Sequence, residues 1–539
     1  MNQKQNNFMD TRTIIAIVLV GIVWFAWQSY LTKKYPNMNQ PQQKVENAQK
    51  LETTPPTSTQ ESPKSEPPIS KTEVKAADVA SEEKTLVFQN DDISFEVSSA
   101  GMGIKKVVLK KHQDREKKAI QFAQDATVGL FAATLTSSGK AIPFSIEKKA
   151  DNVFEGTARV GESTIRRTIE IQPQTLALKN TVVIEKASAL QGLGFSISEK
   201  KLNLPPSSMF APSTEQQESF VHYSGKRDRI NMTSTSEPVQ KSYQQVSIAS
   251  VGTHYFTAAL LDKSDLAPEA SVIATSKEGD PITAQMTYKF AAESAQLNFQ
   301  AYAGPKLQEN LEKIDPLLTE TIDFGFFSGI AKVLLITMKW FYRFVGNWGV
   351  AIILLTLLVR ALVLPFNIAS YKSMKKMQKI QPQIQSLRER YKEDANAMNR
   401  EMMDLMKKEK VNPLGGCLPM LLQMPVFFAL YQVLGQSIEL YQAPFMLWIQ
   451  DLSLKDPYYV LPILMGVSLF IQHKITPTTM DPTQAKVMQF MPIMFSLMMI
   501  ALPSGLTLYI FVSTAFGIIQ QQLFMRDKSP ALSTKAMKA

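Results

Sequence analysis

Two patterns of apolar residues divide this chain. Apart from one run near the N-terminus, apolar positions through roughly the first 320 residues are scattered or alternate with polar ones, whereas further on they come in long runs. Ile93, Phe95 and Val97 alternate with polar residues, and a similar period recurs near 165–171. Such alternation is typical of strands with one buried face, and long apolar runs are typical of membrane helices. The chain is therefore predicted to join a β-domain to a membrane-embedded helical domain.

Residues 85–320 are predicted to form one large all-β sandwich. Many short strand-like runs, separated by turn residues, indicate this architecture. Further strand-like runs lie at 176–184, 246–251, 253–260 and 283–290, and turn signals lie at Asn90-Asp91, Gly279-Asp280 and Gly304-Pro305.

An apolar run near the N-terminus predicts a membrane anchor within residues 1–35. The run at 11–31 is long enough to cross about 30 Å of hydrocarbon, and Trp24 and Trp27 suit an interfacial aromatic belt. A cleaved signal peptide is the alternative, but no small-x-small motif follows the apolar core. Residues 36–84, rich in Pro, Gln, Ser and Glu, then predict a flexible linker.

Residues 321–347 are predicted to contain an amphipathic helix that lies in the membrane interface. Lys332, Lys339 and Arg343 are spaced seven and four residues apart, which places them on one helical face. A basic face opposite an apolar one is typical of interfacial helices, and a membrane-spanning helix is the alternative. The apolar face is predicted to contain Ile330, Val333, Leu334, Met338 and Phe341.

Five membrane-spanning helices are predicted after this point, the first within residues 348–370 and the other four within 417–525. The third and fourth are short for a typical bilayer. Together with the anchor they make six crossings, which place both termini, including the tail 526–539, on the same side. The five apolar runs are 348–366, 417–436, 458–472, 487–501 and 505–524.

Lysine and arginine residues predict the orientation. The segment 371–416, between the second and third crossings, holds eleven of them, whereas the loop 437–457 holds only Lys455. Loops rich in these residues stay in the cytoplasm, so both termini are predicted to be cytoplasmic and the β-sandwich periplasmic in a bacterial inner membrane. The net charge of +10 then suits an anionic lipid surface better than nucleic acid.

The cytoplasmic segment 371–416 is predicted to form a helical hairpin, with Pro382 kinking or ending its first helix. One interpretation is a small self-packing pair of helices. The other is a docking surface, because methionine makes adaptable apolar contacts. The candidate docking residues are Met374, Met377, Lys375, Lys379, Met402 and Met406.

Arg360 lies inside the apolar run of the second crossing. An ionised residue there costs about 2.5–3.5 kcal/mol on insertion scales, so such residues face a bundle interior or a wet cavity unless they snorkel to the headgroups. None of the five apolar runs contains Asp or Glu. We therefore expect the partner of Arg360 to arrive from outside, and polar side chains such as Ser513 to line a groove with it.

Catalytic and metal chemistry have little support in the sequence. Cys417 is the only cysteine, the four histidines are scattered, and no Walker loop, G-x-S-x-G or H-E-x-x-H motif occurs. No cofactor or metal is predicted. Two rival functions are an anchored carbohydrate-active enzyme, which needs clustered carboxylates in the β-domain, and a solute transporter, which normally carries intramembrane carboxylates or histidines.

Several motifs in the C-terminal half resemble the YidC family of membrane protein insertases. They agree with that family in order and spacing from about residue 340 to 524, and the long β-domain resembles the Gram-negative members. The motifs are LVRA at 358–361, VNPLGGCLPMLLQMP at 411–425, APFMLW at 443–448, DPYYVLPILM at 456–465, LPSGL at 502–506 and QQQL at 520–523.

The resemblance implies a non-enzymatic insertase and chaperone, with five core helices around a hydrophilic groove and a supersandwich-like β-domain. It implies Arg360 as the positive charge of the groove, Thr356 and Gln423 as lining residues, and Tyr509 as an aromatic contact for the substrate helix. Relatives often have a second aromatic residue where this chain has Ile510. The implied partners are nascent membrane proteins, the Sec translocon, a ribosome or targeting factor at the hairpin and tail, and anionic lipids, without recognition of nucleic-acid sequence.

Overall fold

A computed structural model gives the structure of the protein, and all the residues it describes belong to one compact unit, Asp78–Ala539. The predicted anchor, nearly all of the linker, Cys417 and the C-terminal tail lie outside the described residues. Those residues are 83–123, 128–204, 216–233, 237–275, 277–391, 394–409, 411, 418–476 and 492–525.

The first part of the unit is an all-β domain of three antiparallel sheets. A four-stranded sheet contains β1 (Thr85–Gln89), β2 (Ile93–Ser98), β3 (Ile104–Gln113) and β4 (Ala119–Phe122). A five-stranded sheet has the order β13 (Val239–Tyr243), β16 (Glu269–Ala274), β17 (Pro281–Tyr288), β10 (Leu193–Lys200) and β5 (Ala132–Leu135). The nine-stranded sheet has the order β12 (Lys226–Asn231), β11 (Gln217–Tyr223), β14 (Val246–Thr253), β15 (Phe256–Asp262), β18 (Ser294–Pro305), β9 (Ala177–Glu185), β8 (Ser163–Gln172), β7 (Val153–Val160) and β6 (Ser145–Ala150).

Alternating apolar residues determine which face of each strand is buried. In β8, Ile165, Arg167, Ile169 and Ile171 are buried, while Arg166, Thr168 and Glu170 between them are partly or fully exposed. Ile165 stands opposite Ile184 of β9, so the buried faces of neighbouring strands coincide. The predicted all-β sandwich is thus confirmed as a large all-β domain.

Two predicted strand boundaries are wrong. Gly304-Pro305, expected to form a turn, instead ends β18, where Pro305 pairs with Phe256. Proline is tolerated there because the last residue of a strand need not donate to the ladder. Thr253, expected to begin a strand, instead ends β14.

Arg167 is fully buried in the β-domain at a position of β8 that the alternation assigns to the core. Its guanidinium donates to Oδ1 of Asn180 at 2.7 Å and to the carbonyls of Gly101 at 2.8 Å and Phe131 at 2.9 Å. Burial lowers the pKa of Arg167 to about 9. These bonds tie β8 to two loops, and the sequence did not distinguish Arg167 from a surface charge.

The second part of the unit is helical, with eight α-helices among the described residues. The helices are α1 (Gln308–Ile314), α2 (Ser328–Val345), α3 (Trp348–Arg390), α4 (Ala395–Lys408), α5 (Leu418–Gln436), α6 (Val460–Ile475), α7 (492–499) and α8 (Ser504–Met525). Short 3-10 helices lie at Ala187–Ala189, Pro316–Thr321 and Ile438–Leu440. Helix α8 packs against α3, α5 and α6, while α2 packs against α3 and α5. In the described part of the chain, α3 and α8 are long and apolar enough to cross a membrane, and α6 is a shorter apolar helix.

Helix α3 is longer than predicted. It contains both the second predicted crossing and the first arm of the hairpin, and it continues through Pro365 and Pro382. The expectation that Pro382 could end the first arm is therefore wrong. Ile380 and Ile384 are both buried in the hairpin's own apolar cluster, so packing on either side of Pro382 stabilises the helix there.

Helix α2 has different faces from those predicted. Leu334 and Met338 are buried, but Ile330 and Val333, which were predicted to share their face, are exposed. Lys339 is not on an open basic face, because its Nζ lies 2.6 Å from a carboxylate oxygen of Glu439. The exposed stripe of α2 is apolar and contains Ile330, Val333, Ile336, Trp340 and Phe344.

Candidate functional site

Arg360 lies at the contact between α3 and α8. Its Nε donates a hydrogen bond of 2.9 Å to Oγ of Ser513, a buried residue of α8. The guanidinium is only partly exposed, and no carboxylate forms an ion pair with it among the residues that the structure describes. Two predicted groove residues, Arg360 and Ser513, therefore come together, and the cation lacks a partner of opposite charge in this part of the chain.

Gly517 brings a third helix to the same point. A Cβ atom placed on Gly517 would lie 3.5 Å from Nη1 of Arg360 and 3.5 Å from Nε2 of Gln472, a residue of α6. The missing side chain therefore leaves α3, α6 and α8 close together around the guanidinium. We use the name groove for the polar contact formed by Arg360, Ser513 and Gly517.

Gln423 and Tyr509 connect α5 to α8. The Nε2 group of Gln423 donates to the hydroxyl of Tyr509. The Tyr509 ring is only 2% exposed and Ile510 only 8%, so neither presents a broad surface in this conformation. The role of Tyr509 as a contact for a substrate helix stays a prediction.

Thr356 lies one helical turn before Arg360 but has no exposed surface. Its hydroxyl donates to the carbonyl of Ile352 at 2.7 Å, which is the usual way for a buried threonine to satisfy its hydrogen bond within a helix. Its predicted place in the groove lining is untested.

A second polar pair, which the sequence did not single out, lies further along the same two helices. Nδ2 of Asn367 donates to Oε1 of Gln520 at 3.3 Å, and both side chains are buried. Asn367 is seven residues after Arg360, and Gln520 is seven residues after Ser513. This equal spacing was the signal that could have found the pair.

The hairpin formed by the end of α3 and by α4 packs on itself. Ile380, Ile384, Met406 and Val411 form a buried cluster, with Met377 and Met402 against it. Three of the methionines predicted to dock a partner thus belong to the hairpin's own core. The fourth, Met374, is also buried, whereas Lys379 is exposed and Lys375 partly so. Their predicted docking role is untested.

A buried ionic cluster lies where the β-domain meets the helices. Glu218 of β11 pairs with Arg229 at 2.5 Å and with Lys306 at 2.8 Å. Burial alone would raise the pKa of Glu218, but the two cations outweigh it and hold that pKa far below its usual range. Arg229 also donates to the carbonyl of Glu320 at 2.8 Å, in the 3-10 helix that precedes α2. The sequence did not indicate this cluster.

The loop between α5 and α6 also contacts the β-domain. Nε2 of Gln442 donates to the carbonyls of Gln113 at 3.0 Å and Asp114 at 2.8 Å. Ile438 is buried in the apolar core of the β-domain, and the Tyr441 ring lies 4.7 Å from that of Tyr255. Within the described residues, no group of three His, Cys, Asp or Glu side chains could hold a metal ion.

The fold and the site define a helical membrane protein that carries a large β-domain and an arginine, Arg360, at the contact between two of its helices. Two family models match it, the YidC periplasmic domain over residues 85–337 and the 60Kd inner membrane protein over residues 340–531. The membrane protein insertase YidC of Geobacter metallireducens is 35% identical over 549 residues, covering 97% of this chain and 99% of that protein. That of Geotalea uraniireducens is 35% identical over 461 residues, covering 81% and 86%.

A solved structure of an active YidC insertase covers 81% of this chain and 92% of its own, with a TM-score of 0.37 and 17% identity. On the sequence matches, the chain belongs to the YidC family of membrane protein insertases. Proteins of this family insert other proteins into the membrane, so nascent membrane proteins are the clients of this inner-membrane protein.

Proposed function

We propose that the chain inserts membrane proteins without catalysis, by admitting a short polar tail of the client into the groove beside Arg360. The client's apolar helix then moves into lipid along the outer faces of α6 and α8. Burial of that helix in lipid drives the step, so no nucleotide is required. The single observation that supports this mechanism best is the cation of Arg360, which lies between membrane helices without a carboxylate partner among the described residues.

The attraction between Arg360 and an acidic client tail is large enough to affect insertion. Two unit charges 4 Å apart attract by about 4 kcal/mol at an effective dielectric constant near 20, before desolvation is subtracted. That offsets part of the cost of bringing an acidic tail among apolar helices. Among the described residues, Arg360 hydrogen-bonds a neutral hydroxyl through Nε, so its remaining guanidinium N–H groups can donate to the client.

The outer faces of α6 and α8 suit the second half of the step. Ile463 and Val467 on α6 are 61% and 52% exposed, and Ile519 and Leu523 on α8 are 54% and 68% exposed. Exposed apolar side chains on membrane helices contact lipid or another apolar helix. A client helix leaving the groove can exchange one apolar neighbour for another along these faces.

The topology and partners predicted from the sequence complete the proposal. Six crossings place both termini and the hairpin in the cytoplasm and the β-domain in the periplasm, following the basic residues of 371–416. The hairpin and tail then receive a ribosome or targeting factor, and the basic surface lies against anionic lipids. The protein works alone or beside the Sec translocon.

The charge of Arg360 is tested with two single-span clients that differ only in the charge of the translocated tail. Arg360→Ala is expected to slow insertion of the acidic-tailed client more than that of the neutral-tailed client, because no carboxylate among the described residues pairs with Arg360 and the acidic tail supplies one. Arg360→Lys is expected to retain much of the activity, since a long cation still reaches the groove. Insertion is measured in proteoliposomes at equal protein levels.

Arg343→Ala is the matched control, because Arg343 is an exposed arginine at the end of α2. It is expected to slow neither client selectively. Equal slowing of both clients by Arg360→Ala, or slowing of neither, contradicts the electrostatic role and favours an arginine that only anchors α3 at the headgroups. Solute flux or sugar turnover by the same proteoliposomes would favour a transporter or an enzyme instead.

A further inference from the structure

The contact between α3 and α8 changes character along its length. On the side of Arg360 nearer the start of α3, Ile352 and Leu355 are buried, as is Leu506 of α8. From Arg360 onwards two side-chain hydrogen bonds cross between the helices, first from Arg360 to Ser513 and then from Asn367 to Gln520, and the Tyr371 ring stacks on that of Phe524 beyond them. We call the contact between α3 and α8 the seam, its part before Arg360 the apolar half, and its part with the two hydrogen-bonded pairs the polar half.

The two polar pairs share one register. Seven residues separate Arg360 from Asn367 on α3, and seven separate Ser513 from Gln520 on α8. Seven residues are nearly two helical turns, or about 10 Å, so the second pair lies directly along the seam from the first. By the proposed orientation it lies on the cytoplasmic side of Arg360.

Asn367 has an unused hydrogen-bond acceptor. Its side chain is 1% exposed, and its Oδ1 has no hydrogen-bond partner among the described residues. A buried acceptor without a partner costs free energy, which a ligand bearing an N–H or O–H group recovers when it binds. Gln520, at 4% exposed, holds the other side of the amide pair.

We propose that Asn367 and Gln520 form a neutral hydrogen-bonding subsite, which holds hydroxyl- and amide-rich client tails before they reach Arg360. The subsite rests on the groove proposed above and adds a second kind of client chemistry to it. Arg360 selects by charge, whereas this amide pair selects by hydrogen-bonding capacity.

Helices α3 and α8 can separate at the Asn367–Gln520 end of the seam at a low cost in free energy. When two neutral amides separate, each exchanges its partner for a donor or acceptor of the client, so the number of hydrogen bonds is maintained. Separation of the apolar half would instead place Ile352, Leu355 and Leu506 against a polar tail. The polar half therefore opens first, and the apolar half closes the far end of the groove.

Crosslinking tests the contact directly in the full chain with Cys417→Ser. A ribosome-stalled client carries one cysteine in its neutral polar tail, and the insertase carries Gln520→Cys, Ser513→Cys or Gln522→Cys. Gln522 is the matched control, because it lies two residues from Gln520 but is exposed. We expect the 520 disulfide at shorter nascent lengths than the 513 disulfide, and little disulfide at 522.

Insertion rates test the chemistry. Asn367→Leu is nearly isosteric and is expected to slow a client with a serine- and asparagine-rich tail about three- to ten-fold, the usual effect of one lost hydrogen bond. It is expected to spare a client with a short apolar tail. The double variant Asn367→Gln/Gln520→Asn keeps both amides and their combined length. It is expected to insert the serine- and asparagine-rich client at the rate of the parent chain.

The subsite is wrong if residue 520 crosslinks no better than 522, or if Asn367→Leu slows both clients equally at normal protein levels. The second outcome would make the amide pair only a structural contact between helices. Either failure leaves the proposed mechanism standing as long as the 513 disulfide forms and Arg360→Ala still discriminates by tail charge. Loss of both of those results would overturn the groove itself.

Discussion

At the scale of single residues, Glu199 shows how burial changes an ordinary carboxyl group. It lies on β10, accepts a hydrogen bond of 3.3 Å from the backbone N–H of Ala123, and has its pKa raised to about 7 by burial. The ordinary pKa of this group is 4.5. The folded chain therefore retains a proton that the unfolded chain loses as the pH rises from 4.5 to about 7, and stability falls over that interval.

Glu199→Gln is expected to remove this pH dependence. At pH 8 the variant gains about 3 kcal/mol in the stability of the β-domain over the parent chain, and at pH 4 the difference largely disappears. The measurement is hydrogen exchange of β10 in the purified full chain across this pH range. Glu162→Gln, at an exposed carboxylate, is the control, and an equal gain at pH 4 and pH 8 would contradict the argument.

Whereas Glu199→Gln is expected to stabilise the β-domain, loss of the Glu218 carboxylate is expected to destabilise it. Glu218→Gln leaves Arg229 and Lys306 buried without their shared carboxylate, and breaking a buried ion pair typically costs about 3–5 kcal/mol. We expect a clear fall in the thermal unfolding temperature of the β-domain. Asp151→Asn, which breaks an exposed pair with Lys148, is expected to change it little. Equal small effects would show that the cluster is not stabilising.

Of the charged residues buried or half-buried in this fold, the sequence alone pointed to Arg360 and to none of the three in the β-domain, for a physical reason. Arg360 was conspicuous because it interrupts an apolar run, where every charge is costly. Arg167 holds a core position of the alternation in β8, and Glu199 and Glu218 lie in strands with other polar residues, so none of the three interrupts an apolar run. Whether such a residue is buried depends on what covers its strand face, and that is set by strands distant in the sequence.

At the scale of elements, local patterns predicted the strands well because period-two burial is a local property. The length of the hairpin's first helix was harder to predict, because packing between the two helices stabilises it and Pro382 does not end it. Helix α3 continues through Pro382 because Ile380 and Ile384 meet Met406 of α4. That small cluster is separate from the core of the membrane helices.

Deleting Lys375 through Lys408 is therefore expected to leave the membrane helices folded while insertion falls sharply. The deleted segment carries Ile380, Ile384 and Met406, three of the four buried residues of its apolar cluster, so its loss exposes little of the remaining core. The readouts are protease resistance of the membrane core and insertion of a labelled client. A matched variant, Lys372→Gln, keeps the hairpin and changes one charge. Undiminished insertion by the deletion would make the hairpin a passive loop.

At the scale of the whole molecule, the β-domain and the helices make contacts that cannot be predicted from any single segment of the sequence. Ile438 and Gln442 belong to the loop between two membrane helices, yet one enters the β-domain core and the other bonds to the end of β3. Lys339 of α2 pairs with Glu439 of the same loop. These contacts join the loop between α5 and α6 to the β-domain and to α2.

Deleting most of the β-domain, about residues 90–300, is expected to leave insertion largely intact, because every groove residue described above lies outside it. The truncated chain keeps Arg360, Ser513, Asn367 and Gln520, so it is also expected to keep the discrimination between acidic and neutral client tails. Growth of a depleted strain and insertion in proteoliposomes are measured at equal membrane levels. Adding Arg360→Ala to the truncated chain is the control, since it should abolish that discrimination as in the full chain. Loss of growth despite normal levels, or loss of discrimination on truncation alone, would show that the β-domain takes part in the groove's function.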